Sequence, residues 1–172
     1  MLFRIIVEFI ETRNTIYLMK EEASYIKLFR SGELKVRAES ALKLLENCKC
    51  CPHNCKIDRT TSNSGKCLSG FLPIVSSYSP HFGEEPVLSG TKGAGNIFFG
   101  NCNLKCIFCQ NFEISQNWEN EIANEVSFEE LANIMIELQD RDCHNIGLVS
   151  PTHFSSAILK SILLAAEKGL QL

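Results

Sequence analysis

A chain of 172 residues has room for one ordinary domain, or for a small module joined to part of a larger one. Its net charge of −3 supplies no basic field of the kind that nucleic-acid binding requires, while 45% hydrophobic content suits a globular core. Nine cysteines would be enough for a disulfide scaffold, but they cluster in metal-ligand spacings and no signal peptide of the usual design precedes them, which points to a reducing cytoplasm.

The opening Met1-Leu-Phe-Arg-Ile-Ile-Val-Glu-Phe-Ile10 is apolar, yet Arg4 and Glu8 interrupt it. It is too short for a membrane span and lacks a small-residue cleavage site. Residues 1–20 fit poorly with the rest of the chain, and Met19 is an alternative start, because a helical pattern begins at about Glu21. Ser31-Gly32 breaks that pattern. A second helix is predicted from Glu33 to Glu46, with Leu34, Ala38, Leu42 and Leu45 on one packing face. Segments 1–47 thus read as an extension with packing helices, 48–70 as a cysteine module, and 71–172 as the start of an α/β core.

In the module, Cys48, Cys51, Cys55 and Cys67 form a C-x2-C-x3-C-x11-C set, and Thr60 to Gly65 are turn residues that fold the chain back. Four thiolates suit a closed tetrahedral zinc site or an iron–sulfur cluster, and their sulfurs should converge on one metal centre. Cys50 is an extra thiol, and a bridge to its neighbour Cys51 would be strained. His53 is an alternative fourth ligand. Further on, His81, Glu84 and Glu85 lie before a proline. A solvated loop accounts for them more simply than a catalytic pair, since neighbouring side chains diverge on extended backbone.

Gly93 and Gly95 allow a tight turn into a short apolar strand, Asn96–Phe99. No helix comes directly after them, so the glycines are not a dinucleotide fingerprint. The strand leads into Gly100-Asn-Cys-Asn-Leu-Lys-Cys-Ile-Phe-Cys-Gln-Asn111, with Cys102, Cys106 and Cys109 in C-x3-C-x2-C spacing. Such short spacing lets one loop wrap a compact metal centre, and thiolates are the usual ligands of iron–sulfur clusters. Three of them would leave one iron of a four-iron cluster open for chemistry. A zinc knuckle or a set of buried thiols is the plainer alternative.

Val126-Ser-Phe-Glu-Glu130 announces a helix, with Ser127 as N-cap, Glu130 completing a capping box and Val126 stapling onto Leu131. Phe128, Leu131, Ile134, Met135 and Leu138 form its apolar stripe. Cys143 is read as a buried or free thiol. A strand, His144–Ser150, precedes Pro151-Thr-His-Phe154. The next helix runs from about Ser156 to Lys168, with Ile158, Ile162 and Leu163 inward and Gly169 as its stop. Leu170–Leu172 looks like a further strand. The order predicts consecutive βα units of a parallel sheet, with functional loops after the strands' C-terminal ends.

The cluster loop, with Phe108 before its last cysteine, resembles that of the radical S-adenosylmethionine (SAM) superfamily. The upstream Cys-x-x-Cys-Pro-His-Asn-Cys, Ser76–Pro86, Gly93-Ala-Gly95 and Gln110-Asn111 resemble an uncharacterised family similar to pyruvate formate-lyase activating enzyme, in which Arg is common where His53 stands. The resemblance covers about residues 22–172. It implies the N-terminal part of a (β/α) partial TIM barrel and a 4Fe-4S cluster on Cys102, Cys106 and Cys109. The open iron would hold the amino and carboxylate groups of SAM, and reductive cleavage would give a 5′-deoxyadenosyl radical for hydrogen abstraction.

Phe108 would pack beside the adenine, with Ser150 and Thr152 near SAM. Other superfamily members carry a Gly-Gly-Glu-Pro-type segment at that place, where this chain has Ser-Pro-Thr-His, and His153 is a proton donor or a simple loop histidine. The likeness further implies a low-potential electron donor and, as substrate, a glycine in a partner protein. About six βα units are implied where two and the start of a third are present, so a fragment or half of a split protein is expected, with a C-terminal half as partner. The rival reading is a non-catalytic iron–sulfur electron-transfer or metal-binding protein, and a third is a zinc-stabilised interaction module.

Overall fold

A computed structural model describes residues 22–172. The readings made for residues 1–20 and for Glu21 lie outside the described residues. A short helix α1, Ser24–Arg30, is followed by α2, Glu33–Lys43, and a 3-10 turn, Leu44–Asn47. Gly32 separates α1 from α2 at φ 77°, a left-handed conformation that a side chain would strain. On α2 the predicted face packs as expected, with Leu34 and Ala38 buried beside Leu163 of the last helix.

The chain is a mixed α/β protein built on three strands: β1, Val75–His81; β2, Ala94–Phe99; and β3, Ile146–Val149. The strand order is β1-β2-β3. β2 and β3 are parallel, with Asn96 opposite Gly147, as the βα reading requires. β1 departs from that reading. It pairs antiparallel to β2 and occupies much of Ser76–Pro86, where the sequence predicts no strand, because Pro80 and three serines mask its alternation.

Between β1 and β2 lies one turn of helix, α3, Pro86–Ser89. After β2 come α4, Phe112–Gln116, and α5, Trp118–Glu121, and then the long helix α6, Phe128–Asp140. α6 begins as its sequence dictates: Ser127 Oγ accepts from the Glu130 N–H, and Glu130 Oε2 accepts from the Ser127 N–H. α7 spans Ser155–Glu167 and ends at Gly169. Leu170 N–H donates to Ala165 O and Gly169 N–H to Ala166 O, closing a Schellman motif over buried Leu170. Leu170–Leu172 therefore finishes a helix and pairs with no strand among the described residues. Its apolar residues meet the core from the helix cap.

The core lies between one sheet face and the helices. Ile74, Ile97 and Phe99 meet Leu131, Met135 and Leu138 of α6 and Ala157 and Ile158 of α7, with Phe154 among them. Cys143 is buried with this cluster, and burial pushes its thiol pKa up. Among the described residues no helix is long and apolar enough to cross a membrane. Replacing the cap, Ser127→Ala, should cost about 1 kcal/mol, read as a lower urea midpoint at unchanged slope.

Candidate functional site

The cysteine loop begins where β2 stops pairing. Gly100 N–H donates to Ile74 O at 3.1 Å, and Asn101 turns left-handed at φ 56° with its N–H on Ile114 O at 3.0 Å. That turn throws the chain off the sheet. Cys102 is buried and its sulfur accepts from the Leu104 N–H at 3.4 Å. Cys109 N–H donates to Cys106 O at 3.2 Å, and Gln116 Nε2 braces the same carbonyl at 2.9 Å. Cys109 Sγ lies 3.4 Å from Ser115 Oγ. Phe108, at 89% exposed, and Ile107, at 98%, stand out from the loop with nothing packed over them among the described residues.

All nine cysteines are free thiols. In the upstream module, Cys48 N–H donates to Ile57 O and Lys56 N–H to Cys48 O, so the chain doubles back beside Cys55. Asp58 accepts from the Thr60 N–H and hydroxyl, making the expected turn. Lys66 N–H points at Cys55 Sγ from 3.5 Å, immediately before buried Cys67. Cys51 is half-buried. The expected convergence of three or more ligands on one centre is not present, here or at the loop after β2, among the described residues. Cys50 lies beside Cys48, with its Sγ 3.5 Å from Ser156 Oγ on α7, and burial pushes its thiol up.

Three connections join the two cysteine segments. His53 Nε2 lies 2.8 Å from Asn103 O, so the upstream module contacts the second cysteine loop directly. Asn101 Nδ2 donates to Leu68 O at 3.3 Å. The third runs through Arg59, which is 2% exposed. Its guanidinium donates to Ser69 O at 3.0 Å, to Gly70 O at 2.7 Å and to His153 O at 2.5 Å, and lies over the Phe154 ring, 5.6 Å from its centroid. His153 Nε2 in turn lies 2.9 Å from Gly100 O.

The loop after β3 therefore divides differently from expectation. Ser150 is half-buried at φ 59°, and Thr152 is exposed at the start of a 3-10 helix, Thr152–Phe154. His153 turns inward and is 1% exposed. Burial, and secondarily the Arg59 charge, push its pKa from 6.5 down to about 4. The ring is then neutral at pH 7, with Nε2–H on Gly100 O, and Nδ1 is buried without a partner among the described residues. It is neither a proton donor poised near neutrality nor a simple loop histidine. It ties the end of β3 to the end of β2. Nothing local in the sequence marks this role, because its partners lie 53 and 94 residues away.

The fold is that of a mixed α/β protein with two cysteine-bearing segments on one end of its sheet. No protein-family profile matches the chain, and no solved structure does. Over 139 residues it is 34% identical to an uncharacterised protein of Methanocaldococcus jannaschii, which covers 75% of this chain. The chain spans 38% of that relative's length.

Two outcomes are expected of the buried pair. His153 has its pKa lowered on folding, so the unfolded chain binds the proton more readily and stability falls as pH drops from 6.5 towards 4. The loss is roughly 3 kcal/mol. Wild type and His153→Gln, compared by urea titration across that range, should differ in this slope. Arg59→Ala leaves carbonyls of three residues without their donor and should cost on the order of 3 kcal/mol or more, measured the same way.

Proposed function

We propose that this chain is the N-terminal part of a radical SAM enzyme similar to the activases of glycyl-radical enzymes. The observation that carries the reading is the placement of three free thiols, Cys102, Cys106 and Cys109, on one loop at the C-terminal end of β2, bonded through Gly100 to the loop after the parallel strand β3. Ligand loops at the C-terminal edge of parallel strands are where α/β folds build their sites. The donor set fits the group by its chemistry, three thiols without a fourth on the same loop. Amide and hydroxyl groups at the Cys102 and Cys109 sulfurs are the interactions that tune such clusters.

A bound 4Fe-4S cluster with SAM supplies one-electron cleavage to a 5′-deoxyadenosyl radical. The chain's own residues would do the rest. Cys102, Cys106 and Cys109 would hold three of the cluster's irons. Phe108, exposed beside them, offers a ring face to adenine. Ser150 and Thr152 offer hydroxyls from the end of β3. Cys48, Cys51, Cys55 and Cys67 would hold a second metal, zinc or iron–sulfur, that stiffens the segment packed on the loop through His53 and Arg59. Further βα units, in cis or in trans, would complete a partial TIM barrel. The setting would be cytoplasmic, the partners a low-potential electron donor and a protein bearing the reacting glycine.

Anaerobic reconstitution with iron and sulfide, read by electron paramagnetic resonance with and without SAM, tests this. A reduced-cluster signal that changes on adding SAM is expected, and its loss in Cys102→Ala, Cys106→Ala or Cys109→Ala. A cluster indifferent to SAM would favour the electron-transfer reading instead. Metal analysis should find an upstream metal that is lost on replacing any of Cys48, Cys51, Cys55 or Cys67 by Ser and retained in Cys50→Ser.

A further inference from the structure

Alternation along β2 sends Ile97 and Phe99 into the helical core and Ala94 and Asn96 to the opposite sheet face. That second face carries a groove of about 450 Å³, bounded by Glu84, Leu88, Asn96, Ile146, Gly147 and Val149 among others. Volumes of this order hold small molecules. Two of its residues are poor choices for a strand: Asn96 is 5% exposed in the middle of β2, and Gly147 stands opposite it on β3.

One steric fact explains both. A Cβ on Gly147 would lie 2.0 Å from Asn96 Oδ1, so only glycine lets the Asn96 amide lie over β3. From there Asn96 Nδ2 donates to Glu84 Oε1 at 3.3 Å, and His81 Nε2 lies 3.8 Å from the same oxygen. A sheet that accepts two weak strand residues in register to hold one carboxylate is sacrificing local preference for a site. Glu84 reaches β2 with its side chain, and Glu85 is the residue immediately before α3.

We propose that this groove binds the protonated amine end of a small ligand with an apolar stem. Glu84 Oε2 has no hydrogen-bond partner among the described residues, no lysine or arginine lines the groove, and the one cationisable group beside the carboxylate is His81, 3.8 Å from its other oxygen. Lys92, the cation nearest in sequence, is paired with Asp142. Leu88 and Val149 form the apolar wall along which the stem lies, while Ile146 faces the helical core. The amine site does not rest on the radical SAM reading.

Titration of the iron-free full chain, followed by amide nitrogen–proton shifts in NMR, separates the two. Hexylamine should shift the amides of Ala94–Phe98 and Ile146–Val149 saturably. The neutral N-hexylacetamide and the anionic hexanoate should bind about tenfold more weakly, the loss expected for one charge-assisted hydrogen bond. Glu84→Gln should weaken hexylamine by a similar factor, and Glu85→Gln should leave it unchanged. Equal binding of the three ligands, indifference to Glu84→Gln, or shifts confined to other residues would overturn the site. So would unresponsive amides along Ile146–Val149 in a self-associated chain, which would mean that a second strand covers the groove. None of these outcomes alters the cluster signal, and loss of that signal leaves the amine titration standing.

Discussion

The most buried tie between the upstream cysteine module and the sheet is a single guanidinium. Arg59 has no carboxylate partner among the described residues. Its charge is met by carbonyls of three residues and an aromatic face. A cation taken out of water is tolerated only when its donors are satisfied, and the planar fork of arginine can reach carbonyls on two separate segments at once. Two of them, on Ser69 and Gly70, close the cysteine module on itself. The third, on His153, belongs to the end of β3. Remove the charge and these carbonyls lose their donor, leaving the His53–Asn103 and Asn101–Leu68 bonds as the module's polar ties to the loop after β2.

The same contact sets the chemistry of its neighbour. His153 is kept neutral by burial and by the adjacent positive charge, and a neutral ring has one N–H to give. That proton is on Gly100 O, the carbonyl at which β2 becomes the cysteine loop. The path Arg59–His153–Gly100 makes the start of the loop rigid. Its tip, with Ile107 and Phe108 exposed, is left for a ligand or a partner to cover.

Much of the scaffold is legible in the sequence. The capping box of α6, its apolar stripe, the break at Gly32 and the glycine stop of α7 all rest on interactions within a few residues, and each stands where the local pattern puts it. β1 is hidden from such a reading because its face toward the solvent groove is built of Ser77, Ser79 and His81, so the alternation lacks a strong apolar half. Leu170–Leu172 reads as a strand because three residues of apolar and polar alternation also describe a Schellman cap with a buried leucine. Short signals carry two meanings, and packing chooses between them.

The sequence by itself determined where the thiols cluster, and where the two longest helices begin and end, through caps and periodicity. These are properties of chain segments shorter than about one helix. Only the tertiary structure decided that His53 reaches Asn103, that Arg59 is buried between Gly70 and His153, and that Asn96 shares its space with Gly147 to hold Glu84. The hydrogen bonds among these residues join partners separated by 11 to 94 positions. Such partners are selected by the shape of the whole core, and no local preference of either residue records the other.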